Sequence, residues 1–141
     1  MIDSAVKFLK DRFGIVIPEE YGLMDRGDIW IVARDVLDFD ERIRVNRYGI
    51  RLIRVFKKGM KLTTSGAQVI GYLATKNVVH LEKWEDVVKL VEGGNVVGQF
   101  PVEKGQVIVK YGKDIIGIAL YDGVKLKSQI PSSRRIGLKR E

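Results

Sequence analysis

Three short apolar runs near the C-terminus, Val107–Lys110, Ile115–Tyr121 and Val124–Lys127, are separated by Tyr111-Gly112-Lys113-Asp114 and by Asp122-Gly123. Runs of this length are too short for ordinary helices. Gly and Asp tolerate the backbone angles of a tight reversal, so each separator reads as a hairpin turn. The spacing predicts consecutive antiparallel strands from about Val96 to Ile130, a small-barrel meander over residues 95–131. A chain built around such a meander must bury one face of each strand, and everything upstream has to supply the cover.

The upstream segments read as that cover. Asp3 or Ser4 can cap a helix running to about Arg12, with Val6, Leu9 and Phe13 on one face and Gly14 as the stop, and residues 1–14 form the N-terminal helical segment. Ile15 to Ile17 is a β-branched run ended by Pro18. Asp28–Ala33 is apolar on both faces, as a central strand is. Arg42–Val45 alternates cleanly, and Ile50–Phe56 alternates imperfectly because Leu52 and Ile53 fall on opposite faces. Ser65 to Gln68 fits an S-x-x-Q capping box for a short helix ending near Gly71 or Leu73. Val78–Leu81 is a brief strand. Glu82–Glu92 is an amphipathic helix with Trp84, Val87, Val88 and Val91 inward, closed by Gly93-Gly94. The expectation is α+β, one domain over residues 1–141, with a basic tail at 132–141.

Charge narrows the function. Arg42 to Lys61 holds eight basic residues and no acidic one, and Tyr121 to Glu141 carries +4, so the rest of the +7 chain is net acidic at −5. Two concentrated basic segments point to a surface that meets phosphate, against the plainer reading of two solvated faces. The absence of cysteine removes disulfides, thiolate nucleophiles and Cys-ligated zinc. No apolar run approaches the ~20 residues of a membrane span. Lys7, Lys10 and Asp11 interrupt any signal-peptide core at the N-terminus, so a cytoplasmic location with no membrane partner is expected.

Catalytic constellations are missing. His80 is the single histidine and sits in the apolar run VVHL, where a packed core or edge role is the ordinary one. No carboxylate cluster has metal-ligand spacing, and no G-x-S-x-G, G-x-G-x-x-G or G-x-x-x-x-G-K-[ST] occurs. No enzyme activity, cofactor or metal is expected.

The positive signal is basic residues interleaved with aromatics and glycine. Arg42 and Arg44 share one side of their strand. Arg47-Tyr48-Gly49-Ile50-Arg51 places two guanidinium groups and a phenol around a turn, a combination that forks a phosphate and stacks a base. Tyr48 has an equal reading as a packed turn residue. Lys125 and Lys127 share one face of a strand, either solvated or on phosphate. Gln129 can read a base edge, Pro131 ends the strand, and Arg134 and Arg135 follow.

These pieces recur in one family. Arg47, Gly49 and Arg51-Leu52; Leu62-Thr63-Thr64, Gln68 and Gly71; Ala74-Thr75-Lys76-Asn77-Val78-Val79; Gly105 and Val107-Ile108-Val109; Gly117, Leu120-Tyr121 and Leu126-Lys127-Ser128-Gln129-Ile130-Pro131 match in order and spacing. Over roughly residues 12 to 136 the chain resembles the C-terminal RNA-binding domain of the Sun/Fmu-type RNA cytosine-C5 methyltransferases. The resemblance implies a PUA-like β pseudobarrel with flanking helices that docks on rRNA or tRNA, and it adds Lys76 and Asn77 to the RNA-contacting set. In longer relatives a catalytic domain with S-adenosylmethionine and two cysteines accompanies it. A chain without cysteine is expected to be a free-standing, non-catalytic module. It would act in ribosome biogenesis, with an assembly factor, or as accessory to a separately encoded RNA-modifying enzyme. The alternative class is a protein-interaction adaptor whose basic surface docks an acidic partner.

Overall fold

A computed structural model of the protein describes residues 1–39 and 49–132. Helix α1 (Ile2–Phe13) begins at Met1 without a side-chain cap, so neither Asp3 nor Ser4 caps it. Its inward face is Ala5, Leu9 and Phe13, while Val6 is exposed. Gly14 stops it as expected, in the left-handed conformation at φ 67°. A Cβ there would lie 1.9 Å from Thr75 Oγ1, so the glycine also admits a close neighbour. Ile15 to Ile17 is not a strand. Ile15 is instead buried in the core beneath α1.

Strands β1 (Tyr21–Arg26), β2 (Asp28–Ala33), β3 (Ile50–Phe56) and β4 (Gly59–Leu62) form an antiparallel sheet in chain order. The β2–β3 register slips between Ile29 and Trp30, which face Ile53 and Arg51. That slip is a β-bulge at Leu52. It resolves the imperfect alternation: Leu52 and Ile53 are both buried, and Arg51 and Arg54 are both exposed. The short helix α2 (Arg34–Phe39) follows β2. The expected strand Arg42–Val45 lies outside the described residues, as does the basic tail beyond Ser132.

Helix α3 (Thr64–Ile70) starts two residues earlier than the S-x-x-Q pattern implies. Its cap is Thr63, whose hydroxyl accepts from Gly66 N at 2.9 Å and donates to Arg51 O at 2.6 Å. Gly66 lets the helix sit on β3, because a Cβ there would lie 2.9 Å from Leu52 O. A 3-10 turn, Gly71–Leu73, ends it where expected.

The second sheet has five strands in the order β5-β7-β8-β9-β6, from β5 (Val78–Leu81), β6 (Asn95–Val97), β7 (Gly105–Tyr111), β8 (Asp114–Tyr121) and β9 (Lys125–Ser128). The two hairpins fall where the turn residues put them, with Tyr111 opposite Asp114 and Tyr121 opposite Leu126. The order of the meander differs from the expectation in two respects. β6 pairs with β9, and β5 adds parallel to β7. Helix α4 (Trp84–Val91) covers one face, burying Val87, Leu90 and Val91. Alternate residues of β7 feed different cores: Val107 and Val109 face α4, and Ile108 joins the cluster of α1, α3 and the first sheet. Burial on both sides explains the unbroken Val107-Ile108-Val109 run. The result is a mixed α+β fold with a curled, half-barrel sheet.

One side chain joins the two sheets. β4 is an edge strand, and its Leu62 N–H and C=O point away from β3 into the interior. Gln106 on β7 meets both: its Oε1 accepts from Leu62 N at 2.8 Å and its Nε2 donates to Leu62 O at 3.1 Å. The amide thus acts as one residue of a further strand. Gln106→Leu should strand both backbone groups at a cost of about 1–3 kcal/mol each. Urea unfolding is expected to register a loss of about 2–6 kcal/mol for the two groups together.

Candidate nucleic-acid interface

The C-terminal end of α1 is tied to two loops, and the ties shape a cleft. Asn77 adopts φ 58°, a left-handed conformation that Asn tolerates better than other side-chain-bearing residues. From there its Nδ2 donates to Arg12 O at 2.7 Å and to Glu103 Oε2 at 3.1 Å, and its Oδ1 accepts from Glu103 N at 2.9 Å. Arg12 donates through Nε to Gln106 O at 2.8 Å and through its terminal nitrogens to Glu103 O and Oε2 at 3.0 and 3.2 Å. Burial lowers the pKa of the Arg12 guanidinium, and Glu103 raises it. The group remains charged in any case.

Outside this knot lies a cleft of 660 Å³ between the 74–80 segment and the Phe100–Glu103 loop. Its polar lining includes Lys76, His80 and Lys110. His80 and Lys110 are neighbours across the parallel β5–β7 ladder. His80 is exposed on an edge strand, so of its two expected roles the core one is excluded. Glu103 is the acidic residue of the lining, and its carboxylate is already engaged by Arg12 and Asn77. Among the described residues neither lysine has an ion-pair partner, so the cleft presents uncompensated positive charge.

The residues singled out from sequence separate into distinct environments. Lys76 is exposed in the cleft. Asn77 is buried, with its amide engaged in the knot, and positions the cleft wall. Gln129 Oε1 accepts from Gln106 Nε2 at 2.9 Å, placing it beside the bridge between the sheets. Lys125 and Lys127 share a face of β9 as expected, and Lys127 approaches Asp122 at 3.8 Å. Arg51 lies over the Trp30 ring at 5.3 Å and pairs with Asp28 at 3.3 Å, with its side chain 48% exposed. Arg51 therefore sits on the first sheet and Lys125 and Lys127 on the second. Arg42, Arg44, Arg47, Tyr48, Arg134 and Arg135 lie outside the described residues. Among the described residues no three His, Asp or Glu side chains gather as a metal site, and no helix is long and apolar enough to cross a membrane.

Sequence reasoning did not single out Lys110 or count His80 in the site. The available signal was the pair of apolar runs Val78–Leu81 and Val107–Val109, each followed or interrupted by one basic side chain. Their parallel register is a tertiary fact with no local sequence mark.

No family model matches the chain. Ribosomal RNA small subunit methyltransferase F of Shewanella piezotolerans is 30% identical over 131 residues, covering 92% of this chain and 27% of that protein. The protein of the same name from Aeromonas salmonicida is 30% identical over 130 residues, with the same coverage. That of Shewanella halifaxensis is 27% identical over 133 residues. The chain spans about a quarter of the length of the curated relatives it matches, and it is distantly homologous to that part of an rRNA methyltransferase.

Two outcomes follow from the local geometry. Asn77→Ala removes the three Asn77 side-chain bonds and puts a strained alanine at positive φ, whereas Asn77→Gly removes those bonds alone. The alanine variant should be less stable than the glycine variant by about 1 kcal/mol in urea titrations, the ordinary left-handed penalty. Asp122 accepts from Lys125 N at 2.8 Å and Val124 N at 2.9 Å, and these bonds hold its carboxyl below the usual value. A carboxyl lowered on folding stabilises at pH above its unfolded pKa, about 4, and loses that contribution as pH falls through the folded value. The stability gap between wild type and Asp122→Ala should accordingly be full at pH 7 and shrink below about pH 4.

Proposed function

We propose that this chain is a non-catalytic RNA-binding module of PUA-like fold. It docks structured ribosomal or transfer RNA, in ribosome biogenesis or as accessory to a separately encoded RNA-modifying enzyme. The observation that carries this reading is the cleft lined by exposed Lys76 and His80 and half-buried Lys110, whose one acidic residue, Glu103, is already paired with Arg12. Phosphate oxygens satisfy such cations, and the condensed counterions they displace favour binding. Phe100 on the cleft wall adds an aromatic face beside the cations. Homology to part of an rRNA methyltransferase supports RNA as the polyanion. The curled sheet with few helices is consistent with a PUA-like pseudobarrel. The absence of cysteine leaves no thiolate nucleophile for cytosine chemistry.

Affinity for structured RNA should fall by on the order of a thousandfold between 50 and 200 mM salt if about six phosphates are contacted. Lys76→Ala and Lys110→Ala should each weaken binding and lower the salt slope by about one unit, measured by fluorescence anisotropy. The chain alone should transfer no labelled methyl group from S-adenosylmethionine to RNA. Incorporation of label would contradict the non-catalytic reading. No binding to rRNA or tRNA at low salt would assign the basic surface to an acidic protein partner.

A further inference from the structure

The outer face of the four-stranded sheet carries a second cluster, at the β3–β4 hairpin. The bulge at Leu52 sets Arg51 and Arg54 facing solvent, and the strand then alternates, so Phe56 faces solvent too. Val55 and Met60 take the core side of the same hairpin. Phe56 is 45% exposed. Its cross-strand partner is Gly59, which has no side chain to set against the ring, and among the described residues nothing lies within 4 Å of where a Cβ would stand. Two cations lie over it: the Arg54 guanidinium at 5.6 Å and Lys61 Nζ at 5.5 Å from the ring centroid. Arg54 and Lys61 are themselves register partners, and the turn between the strands is Lys57-Lys58, both exposed. Among the described residues none of these four cations has an ion-pair partner. On the same face, one strand inward, Arg51 lies over Trp30.

A single exposed aromatic on a protein surface is ordinary. A ring opposite a glycine and beside unpaired cations is a different arrangement. It offers a stacking surface with phosphate contacts beside it, which is the chemistry of single-stranded nucleic-acid binding. An acidic peptide would satisfy the lysines and arginine but makes no use of the ring. We propose that this hairpin takes an unpaired nucleotide, its base stacked on Phe56 and its flanking phosphates held by Arg54 and Lys61. The proposal rests on the RNA-binding reading and adds to it a preference for RNA in which a duplex adjoins a single-stranded segment.

The test compares a blunt RNA hairpin, the same hairpin with an unpaired overhang, and the overhang version carrying abasic positions. Wild type should bind the overhang RNA more tightly than the blunt or abasic forms by roughly 5- to 150-fold, the range for one stacked base. Phe56→Ala should abolish that preference with its salt slope unchanged, and Phe56→Trp should keep it. Arg54→Ala with Lys61→Ala should lower the slope by roughly 1.4 units, the value for two phosphates of a single strand. Phe56 is on the solvent face, so circular dichroism should show all variants folded. Wild type that binds RNA with no gain from the overhang, or a Phe56→Ala variant that retains the gain, overturns this inference and leaves the RNA-binding reading standing. Equal affinity for a polyglutamate peptide and the overhang RNA overturns it in favour of acidic protein partners. Failure of wild type to bind any of the three RNAs overturns both.

Discussion

The architecture depends on how an edge strand is satisfied in the interior. β4 ends the first sheet, and an unpaired edge buried against another sheet is costly because its backbone groups lose water. Gln106 answers that with one side-chain amide, whose donor and acceptor match the spacing of Leu62 N–H and C=O. The same residue's backbone carbonyl takes the Arg12 Nε–H, and its Nε2 also reaches Gln129. First sheet, second sheet, helix α1 and the segment after β9 thus converge on a residue that is 8% exposed.

The cleft inherits its character from that arrangement. Arg12 leaves α1 to reach Gln106, and in doing so it brings Glu103 and Asn77 together. The one carboxylate lining the cleft is thereby paired with Arg12, while Lys76, His80 and Lys110 carry no such partner among the described residues. Structural ion pairing and surface charge are coupled: the pair that holds the loop is the pair that leaves the cleft positive. Basic residues in this protein have two roles. The Arg12 side chain is 17% exposed and works as a bracket, whereas Arg54 and Lys61 project from a sheet face.

The local features of the sequence were legible because their causes are local. Asp122-Gly123 and Gly112 form reversals through their own backbone preferences, and Gly14 stops α1 by the same means. Strands β2, β3, β5, β7, β8 and β9 announced themselves by apolar runs. β1 did not, because Tyr21–Arg26 has Gly22 and the polar pair Asp25-Arg26 in place of a β-branched run, and its strand state comes from pairing with β2. The capping pattern at Ser65 misled by two residues because Thr63 gains a second bond, to Arg51 O, that exists only once β3 is in place. The parallel β5–β7 pairing and the β6–β9 pairing are long-range choices without a local mark. For the site, charge density marked basic segments but did not rank residues. Asn77 and Gln129, read as RNA contacts, are built into the hydrogen-bond scaffold, and Lys110 gains its place only through the register of β7.

The central claim is that the cleft cations meet RNA. Lysine acylation read by mass spectrometry, with and without bound rRNA, examines those side chains in the unmodified protein. The account predicts strong protection of Lys76 and Lys110 on RNA addition, with Lys89 on α4 and Lys10 on α1 reacting as before. Equal reactivity of Lys76 and Lys110 in free and RNA-bound protein, under conditions where binding is saturated, would contradict it.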